Sequence, residues 1–482
     1  MIHESFFCDC YSLCIIIYQE EIILTDKDFR IEKDSMGELK VPSERKWGSQ
    51  TQRAVENFQI SRHKMPAEFI QSLALLKWSL ASANAELGLL SSEKAEAIKN
   101  SALKISNGDF ADEFPVDVFQ TGSGTSTNMN MNEVIAHLSS NAEIDVHPND
   151  DVNFGQSSND VIPSSINISA AIYLDKYLLK AATHLEKTIN TKADELRSVV
   201  KTGRTHLMDA MPITMAQEMG AWSSQIKDVI AQYEFASEKI QQLAIGGTAV
   251  GTGINAHPDL SVKVCDLLNS ETGLNFRSAD NLFQAISAQD SSLLVSATNR
   301  SLAVALTKIS NDLRWMNSGP IGGLSEITLP ALQPGSSIMP GKVNPVIPES
   351  VSMAASQVFG LDTTINHAAQ SGNFQLNVML PLIAYNLIES MTLLTNACLS
   401  LADKAIQGFE VNLDNVNAVL SNNPILATAL NSTIGYEAGA KIVKKAYQEK
   451  RTIIDVASEL TDLDEETLRD ILDPLKLTQN KQ

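Results

Sequence analysis

The chain has 482 residues, enough to bury a large core and to divide into a few domains. Hydrophobic residues make up 44% and charged residues 20%, an ordinary balance for a globular protein. The formal net charge of −20 argues against nucleic acid as a partner, because binding phosphates needs clustered Lys and Arg; an anionic substrate would need positive potential supplied locally, against that field.

The chain opens with MIHESFFCDCYSLCIIIYQEE. No Lys or Arg precedes the apolar run, acids interrupt it, and it is too short to cross a bilayer. It therefore fits neither a secretory signal, nor a mitochondrial presequence, nor a membrane anchor. Residues 1–28 are expected to be a disordered extension or the product of an upstream start codon. Cys8, Cys10 and Cys14 fall in that stretch, while Cys265 and Cys398 sit alone in apolar surroundings. None has the spacing of a disulfide framework or a zinc site, which fits a reducing, cytoplasmic compartment.

Polar, Gly/Pro-rich stretches then punctuate the chain, and long helical patterns run between them. Residues 165–200 place Leu174, Leu178, Ala181, Leu185, Ile189 and Leu196 on one narrow face, the seam of a helix bundle. Pro212, then Thr214 with Gln217 three residues on, predicts a capping box opening a helix that runs to Ile245 and stops at Gly246-Gly247. Residues 282–316 and about 350–405 are periodic again, the second run kinked or locally broken at Pro381. Helices of ~30 residues would be ~45 Å long, which predicts a bundle that assembles with other copies. The expected division is an N-terminal domain over 29–156, a central bundle over 157–413 and a small helical domain over 414–482.

Four polar loops carry candidate chemistry. In TGSGTSTNMNMNE (121–133), Ser123, Gly124 and Thr125 precede a helical run expected to begin near Asn132. Hydroxyls and backbone N–H groups there could bind an anion or simply cap the helix. In HPNDDVNFGQSSNDVIPSS (147–165), Ser157, Ser158 and Asn159 precede another helix; such groups can bind a carboxylate or only cap. His147 with nearby Asn and Asp is weak evidence for a metal. In GRTHLMDAMPIT (203–214), His206 lies between two bundle helices, either as a general acid or base or as a structural residue. In GSSIMPGKVNPVIPE (335–349), Ser336 and Ser337 precede Lys342, Asn344 and Glu349. A serine needs help to act as base or nucleophile, and Lys342 could give it. No GxSxG elbow is present, which disfavours a hydrolase triad.

Taken together and in this order, the four loops resemble the aspartase/fumarase superfamily, and within it the class II fumarate hydratases. Residues 335–345, GSSIMPGKVNP, match the signature GSSxMPxKxNP throughout, and residues 32–58 resemble the start of the family's first domain. The superfamily also holds aspartate ammonia-lyase and other lyases. His206 in the GRTH block and Gly341 in MPGK look like fumarase, where aspartases typically carry Gln and Ala. The resemblance implies a mainly α, three-domain lyase whose central long-helix bundle assembles into a twenty-helix tetramer core. It implies hydration of fumarate to malate without a metal or organic cofactor, with a small dicarboxylate as partner and no membrane or nucleic acid.

Residue by residue, the resemblance makes Ser336 the base that takes the C3 proton of malate. His206 becomes the acid/base on the water side, with Glu349 as the acid that pairs with it. Ser337, Lys342, Val343 and Asn344 match substrate ligands, as do Ser123, Gly124, Thr125, Ser157, Ser158, Asn159 and Thr205. His147, Pro148, Asn149 and Asp150 match a second, surface dianion site; where relatives often carry a basic residue three positions before that His, this chain has Ile144. The alternatives are another lyase of the superfamily, above all aspartate ammonia-lyase, and a non-catalytic homologue of the kind recruited as crystallins.

Overall fold

The computed structural model describes residues 29–479; the expected extension over 1–28 lies outside them. An antiparallel hairpin of β1 (Phe29–Asp34) and β2 (Gly37–Pro42) leads into α1 (Ser49–Asn57), α2 (Ala67–Glu86), α3 (Ser92–Ser106) and α4 (Thr125–Ser139). Next, α5 (Ser158–Tyr173) passes through a π-helical turn, Leu174–Leu178, into α6 (Leu179–Glu195). A second hairpin, β3 (Val200–Thr205) and β4 (Met208–Thr214), precedes α7 (Met215–Ile240), α8 (Leu260–Thr272), α9 (Leu282–Ser287) and α10 (Asp290–Met316). After α11 (Val346–Ala369) and α12 (Leu380–Leu401) come six short helices: α13 (Leu413–Ser421), α14 (Asn431–Ile434), α15 (Tyr436–Glu449), α16 (Ile453–Leu460), α17 (Glu465–Ile471) and α18 (Pro474–Leu477). The fold is mainly α.

The long helices form one bundle: α10 lies against α7, α11 and α12, α11 against α12, and α12 also against α5 and α6. The seam is legible in α12, where Ile383, Leu387, Met391, Leu394, Cys398 and Leu401 recur at four- and three-residue spacing and are all fully buried. Such a stripe faces partners along its whole length. The helical run Leu380–Ile406 holds an 18-residue stretch apolar enough to cross a bilayer by composition, but 61% of that stretch is buried against the rest of the chain, the behaviour of a core helix. A separate apolar cluster of Leu426, Leu430, Ile442, Val456 and Leu468 holds the C-terminal helices together.

Several expected boundaries move. The helix expected over 165–200 begins at Ser158 and ends at Glu195, and α7 stops at Ile240, because Gln242–Leu243 pair in parallel with Arg277–Ser278. Around Pro381 the chain breaks completely: α11 and α12 are separate helices joined by a small hairpin of Gly372–Asn373 and Leu376–Asn377. Pro381 sits in the first turn of α12, where its missing N–H has no intrahelical partner to lose. The individual helices have 22 to 27 residues where they are longest, so they are about 33–40 Å long. The capping box at the start of α7 forms as the sequence predicts. Gln217 N–H donates to Thr214 Oγ1 at 3.1 Å, and Thr214 N–H donates to Gln217 Oε1 at 2.9 Å.

Candidate active site

Two helix starts form a polar seat. α4 begins at Thr125, seven residues before the expected Asn132, so Thr125 and Ser126 lie in its first turn with backbone N–H groups that no described residue accepts. Gly124 precedes them at φ 73°, and a Cβ there would meet Ile162 at 2.9 Å, so both the backbone and the space demand glycine. Ser123 is buried, and its hydroxyl is 2.7 Å from that of Thr125. α5 starts with a second capping box, in which Asp160 accepts from Ser157 N–H at 2.9 Å. Asn128 joins the two helix starts by donating to Ser158 Oγ at 3.0 Å. Asn159 donates to the Ala249 carbonyl at 2.8 Å. The starts of two helices, each with a partial positive charge, therefore sit side by side with hydroxyls between them, an arrangement suited to a carboxylate.

His206 does not lie in an irregular loop. It occupies the tip of the β3–β4 hairpin, where Thr205 pairs with Met208 and the two tip residues, His206 and Leu207, have φ of 57° and 60°. Those values suit the primed two-residue turn whose twist matches a hairpin, although neither residue is the usual Gly or Asn. Thr205, His206 and Leu207 are exposed, and the His206 ring has no hydrogen-bond partner among the described residues. The base of the hairpin is tied down by ion pairs and a hydrogen bond. Buried Lys201 lies 2.6 Å from both Glu218 and Glu326, Arg204 lies 2.6 Å from Glu326, and Asn423 donates to the Ala210 carbonyl at 3.0 Å.

The stretch from Gly335 to Pro345 is a loop closed on itself; the remaining residues, Val346 to Glu349, form the first turn of α11. Gly335 N–H donates to the Lys342 carbonyl at 2.7 Å, and Asn344 Nδ2 donates to the Gly335 carbonyl at 2.8 Å. Within this ring Ser336 Oγ accepts two backbone N–H groups, from Ile338 at 3.2 Å and Met339 at 3.0 Å. Lys342 is exposed, with no ion-pair partner among the described residues. A cavity of about 850 Å³ runs between the C-terminal end of α10 and this loop, lined among others by Arg314, Ser318, Lys342, Asn344 and Glu349. A smaller one of about 490 Å³ touches Ser336, Lys342 and Val343. Ser337 is exposed beside them.

One chain brings these parts together only in pairs. The starts of α4 and α5 meet; Lys342, Asn344 and Glu349 line one cavity, and Ser336 and Lys342 the other. Neither cavity takes a residue from 121–127, 157–159 or 205–206, and His206 and Glu349 make no hydrogen bond to each other. At His147 the backbone N–H groups of the segment are engaged locally. The imidazole Nδ1 accepts the N–H groups of Asn149 at 3.3 Å and Asp150 at 3.1 Å, and Asp151 accepts His147 N–H at 2.8 Å. Pro148 opens the five-residue π-helical turn that follows. Among the described residues no group of three or more His, Cys, Asp or Glu is arranged to hold a metal.

Sequence reasoning missed the polar groups beneath the seat. Lys77 of α2 and Asp160 of α5 are both fully buried. Burial brings the Lys77 ammonium down to about 7, with Asp160 acting the other way. Burial likewise pushes the Asp160 carboxyl up to about 6, against three backbone N–H groups and the Lys77 charge that hold it down. The available signal was a lysine inside the apolar run SLALLKWSLA.

A family profile described as lyase matches residues 37–360, and one described as the fumarase C C-terminus matches residues 426–479. The chain is 55% identical over 461 residues to a class II fumarate hydratase of Xylella fastidiosa, covering 95% of this chain and 98% of that one. It is 48% identical over 458 residues to a class II fumarate hydratase of Thermus thermophilus, covering 93% and 98%. Among solved structures, a recombinant class II fumarase from Schistosoma mansoni matches with a TM-score of 0.91 at 37% identity, covering 94% of this chain and all of that one. A fumarate lyase:delta crystallin from Brucella melitensis bound to cobalt matches with a TM-score of 0.89 at 40% identity and covers 94% of this chain.

Proposed function

The chain belongs to the lyase family and, within it, to the class II fumarate hydratases, and from that membership we propose that its site performs the reversible hydration of fumarate to (S)-malate. The observation that carries the residue-level reading is the Ser336 turn: a hydroxyl oxygen held by two backbone N–H groups, beside an unpaired Lys342.

In the malate direction, Ser336 as alkoxide takes the C3 proton. The electron pair left on C3 moves into the adjacent carboxylate, which becomes a doubly negative aci-carboxylate. Stabilising that charge is the main demand, and fixed donors aimed at it supply the largest share of catalysis. In this reading Lys342 and Asn344 take that role, with the seat of Ser123, Thr125, Ser157, Ser158 and Asn159 gripping the other carboxylate. The aci-carboxylate then reforms an ordinary carboxylate, its electron pair closes the C2–C3 double bond, and the C2–O bond breaks on the opposite face. His206 delivers the proton that lets hydroxide leave as water, with Glu349 supporting the imidazolium. Hydration runs the same steps backwards.

Because His206 and Glu349 do not meet within one chain, the reading includes a homotetramer in which several copies complete each site. Its support is the apolar surface left on the bundle helices, where Val304 and Trp315 of α10 and Met353 of α11 are all more than half exposed. A cytoplasmic location is proposed on the two described cysteines, Cys265 and Cys398, which are buried and unpaired. The deciding experiment follows ultraviolet absorbance of the purified protein with malate or fumarate alone, and separately with aspartate. Turnover of malate is expected; turnover of aspartate alone would overturn the reading. Mass measurement in solution tests the tetramer, and a monomer active at full rate would remove it.

A further inference from the structure

Lys77 is the one fully buried lysine of the chain whose ammonium faces no carboxylate at ion-pair distance among the described residues; Lys201, the other buried lysine, sits between Glu218 and Glu326. Burying a cation whose nearby carboxylate, Asp160, makes no direct ion pair with it is expensive, so such a group persists where something else makes use of it. Its hydrogen bonds show where it acts. Nζ donates to Asn153 Oδ1 at 3.0 Å and to Gln156 Oε1 at 2.8 Å, two residues of the segment that leads into α5. Asn153 Oδ1 is a hub, because it also accepts from Asn128 Nδ2 and Asn132 Nδ2 of α4, each at 3.2 Å. Asn128 Nδ2 in turn donates to Ser158 Oγ. A chain of hydrogen bonds thus runs from the buried ammonium through Asn153 and Asn128 to the hydroxyl of Ser158. Below it, Asp160 binds the N–H groups of Ser157, Gly246 and Thr248 at 2.9 to 3.0 Å, which fixes the start of α5 from the other side.

We propose that Lys77 is a positioning residue for dicarboxylate binding: a buried cation that holds the starts of α4 and α5 together and adds positive potential beneath the anion they grip. This rests on the fumarate hydratase reading of the same seat and adds a residue that does not touch substrate. The chemistry explains an otherwise awkward fact. A chain of net charge −20 must attract a dianion; the exposed Lys342 is screened by water, whereas the buried Lys77 ammonium, brought down to about 7, is not, and a dianion bound above it favours its charged form. The same network orients the Ser158 hydroxyl, because Asn128 donates to its oxygen and leaves its O–H free to donate to a carboxylate.

Lys77→Met keeps the length and apolar stem of the side chain and removes the charge. The expected result is a rise of about tenfold in KM for fumarate and in the inhibition constant of succinate, the size a partly screened charge gives at this range, with kcat changed far less. The inhibition constant of butyrate, with one negative charge, is expected to move less than that of succinate. A purely structural role would lower kcat and stability together and leave the succinate-to-butyrate ratio unchanged, and that outcome overturns the proposal. If Lys77→Met does not fold, Asn153→Asp decides: it leaves Lys77 in place but pairs its charge, and the same rise in KM is expected, an unchanged KM being the contrary result. Failure of the wild-type protein to act on malate would sink the reaction, whereas equal dianion selectivity in wild type and variants would sink only the role of Lys77.

Discussion

The seat at the starts of α4 and α5 is finished within one chain, whereas the Ser336 loop and the His206 hairpin are not. In the seat, hydroxyls and amides are tied into a network anchored by Lys77, Asn153 and Asp160, all buried or half-buried. At the hairpin tip and the loop, His206, Lys342 and Glu349 have no side-chain partners among the described residues, and Leu207, Ile338 and Met339 are roughly half exposed or more. The contrast separates two tasks. A group that binds a fixed charge works best preorganised and dry, while groups that exchange protons and must let substrate in can be assembled later, by other copies and by closure of a Gly- and Pro-rich loop.

The largest expected effect tests the unfinished half. Ser336→Ala removes the oxygen that the two amides of the loop embrace, and kcat is expected to fall by roughly 10³-fold, within the span of general-base contributions. The helical circular dichroism and the solution mass should not change, since Ser336 makes no contact that the bundle needs. A fully active Ser336→Ala protein would break the base assignment. His206→Asn is expected to lower kcat by about 10²-fold while leaving succinate binding close to wild type, because the seat does not depend on the hairpin tip. Loss of binding equal to the loss of turnover would erase the distinction between the two halves.

The finished half is better probed by pH. The Asp160 carboxyl is pushed up to about 6, so the folded chain holds this proton more tightly than the unfolded one. Its contribution to stability is therefore full below about pH 4 and is lost as pH rises through about 6. The Lys77 ammonium is brought down to about 7 from 10.5, so the folded chain releases that proton first, and stability gains as pH rises between those two values. In Lys77→Met the rise above about pH 7 should flatten, as read from urea midpoints across the pH range. A slope identical to wild type would mean that the ammonium is less buried than the structure places it.

How much of this was legible in the sequence depends on how local the cause is. GSSIMPGKVNP names its loop because the signature and the turn lie in the same eleven residues, and Thr214 with Gln217 named a helix start for the same reason. The start of α4 was not legible. Its Ser, Thr and Asn residues are poor helix formers with no apolar period, and they are helical because Asn128, Asn130 and Asn132 are buried in a polar network supplied by other segments. The β3–β4 hairpin was missed because His-Leu is no recognised turn pair and Gly203 and Pro212 read as loop punctuation. Lys77 was missed because its partners lie 76 and 79 residues away.

The smallest expected effect asks whether the hairpin tip stays unfinished in the assembled enzyme. Leu207 holds φ 60°, a conformation that costs a side-chain-bearing residue roughly 1–2 kcal/mol, and Gly would relieve it. Glycine gives back about 0.5–1 kcal/mol through the greater freedom of the unfolded chain, so in an isolated copy Leu207→Gly should stabilise by about 0.5–1 kcal/mol. Covered by another copy, the Leu207 side chain, now 63% exposed, would bury surface worth about 1.5–3 kcal/mol, and its removal would outweigh the relief. If the proposed tetramer brings another copy against His206, the expected sign in the assembled protein is destabilising, by about 1–2 kcal/mol net of those two estimates, in denaturant midpoints taken at concentrations that keep the assembly intact. A midpoint that rises instead would show the tip facing water in the working enzyme and would shift the search for the partner of His206 to the loop around Ser336.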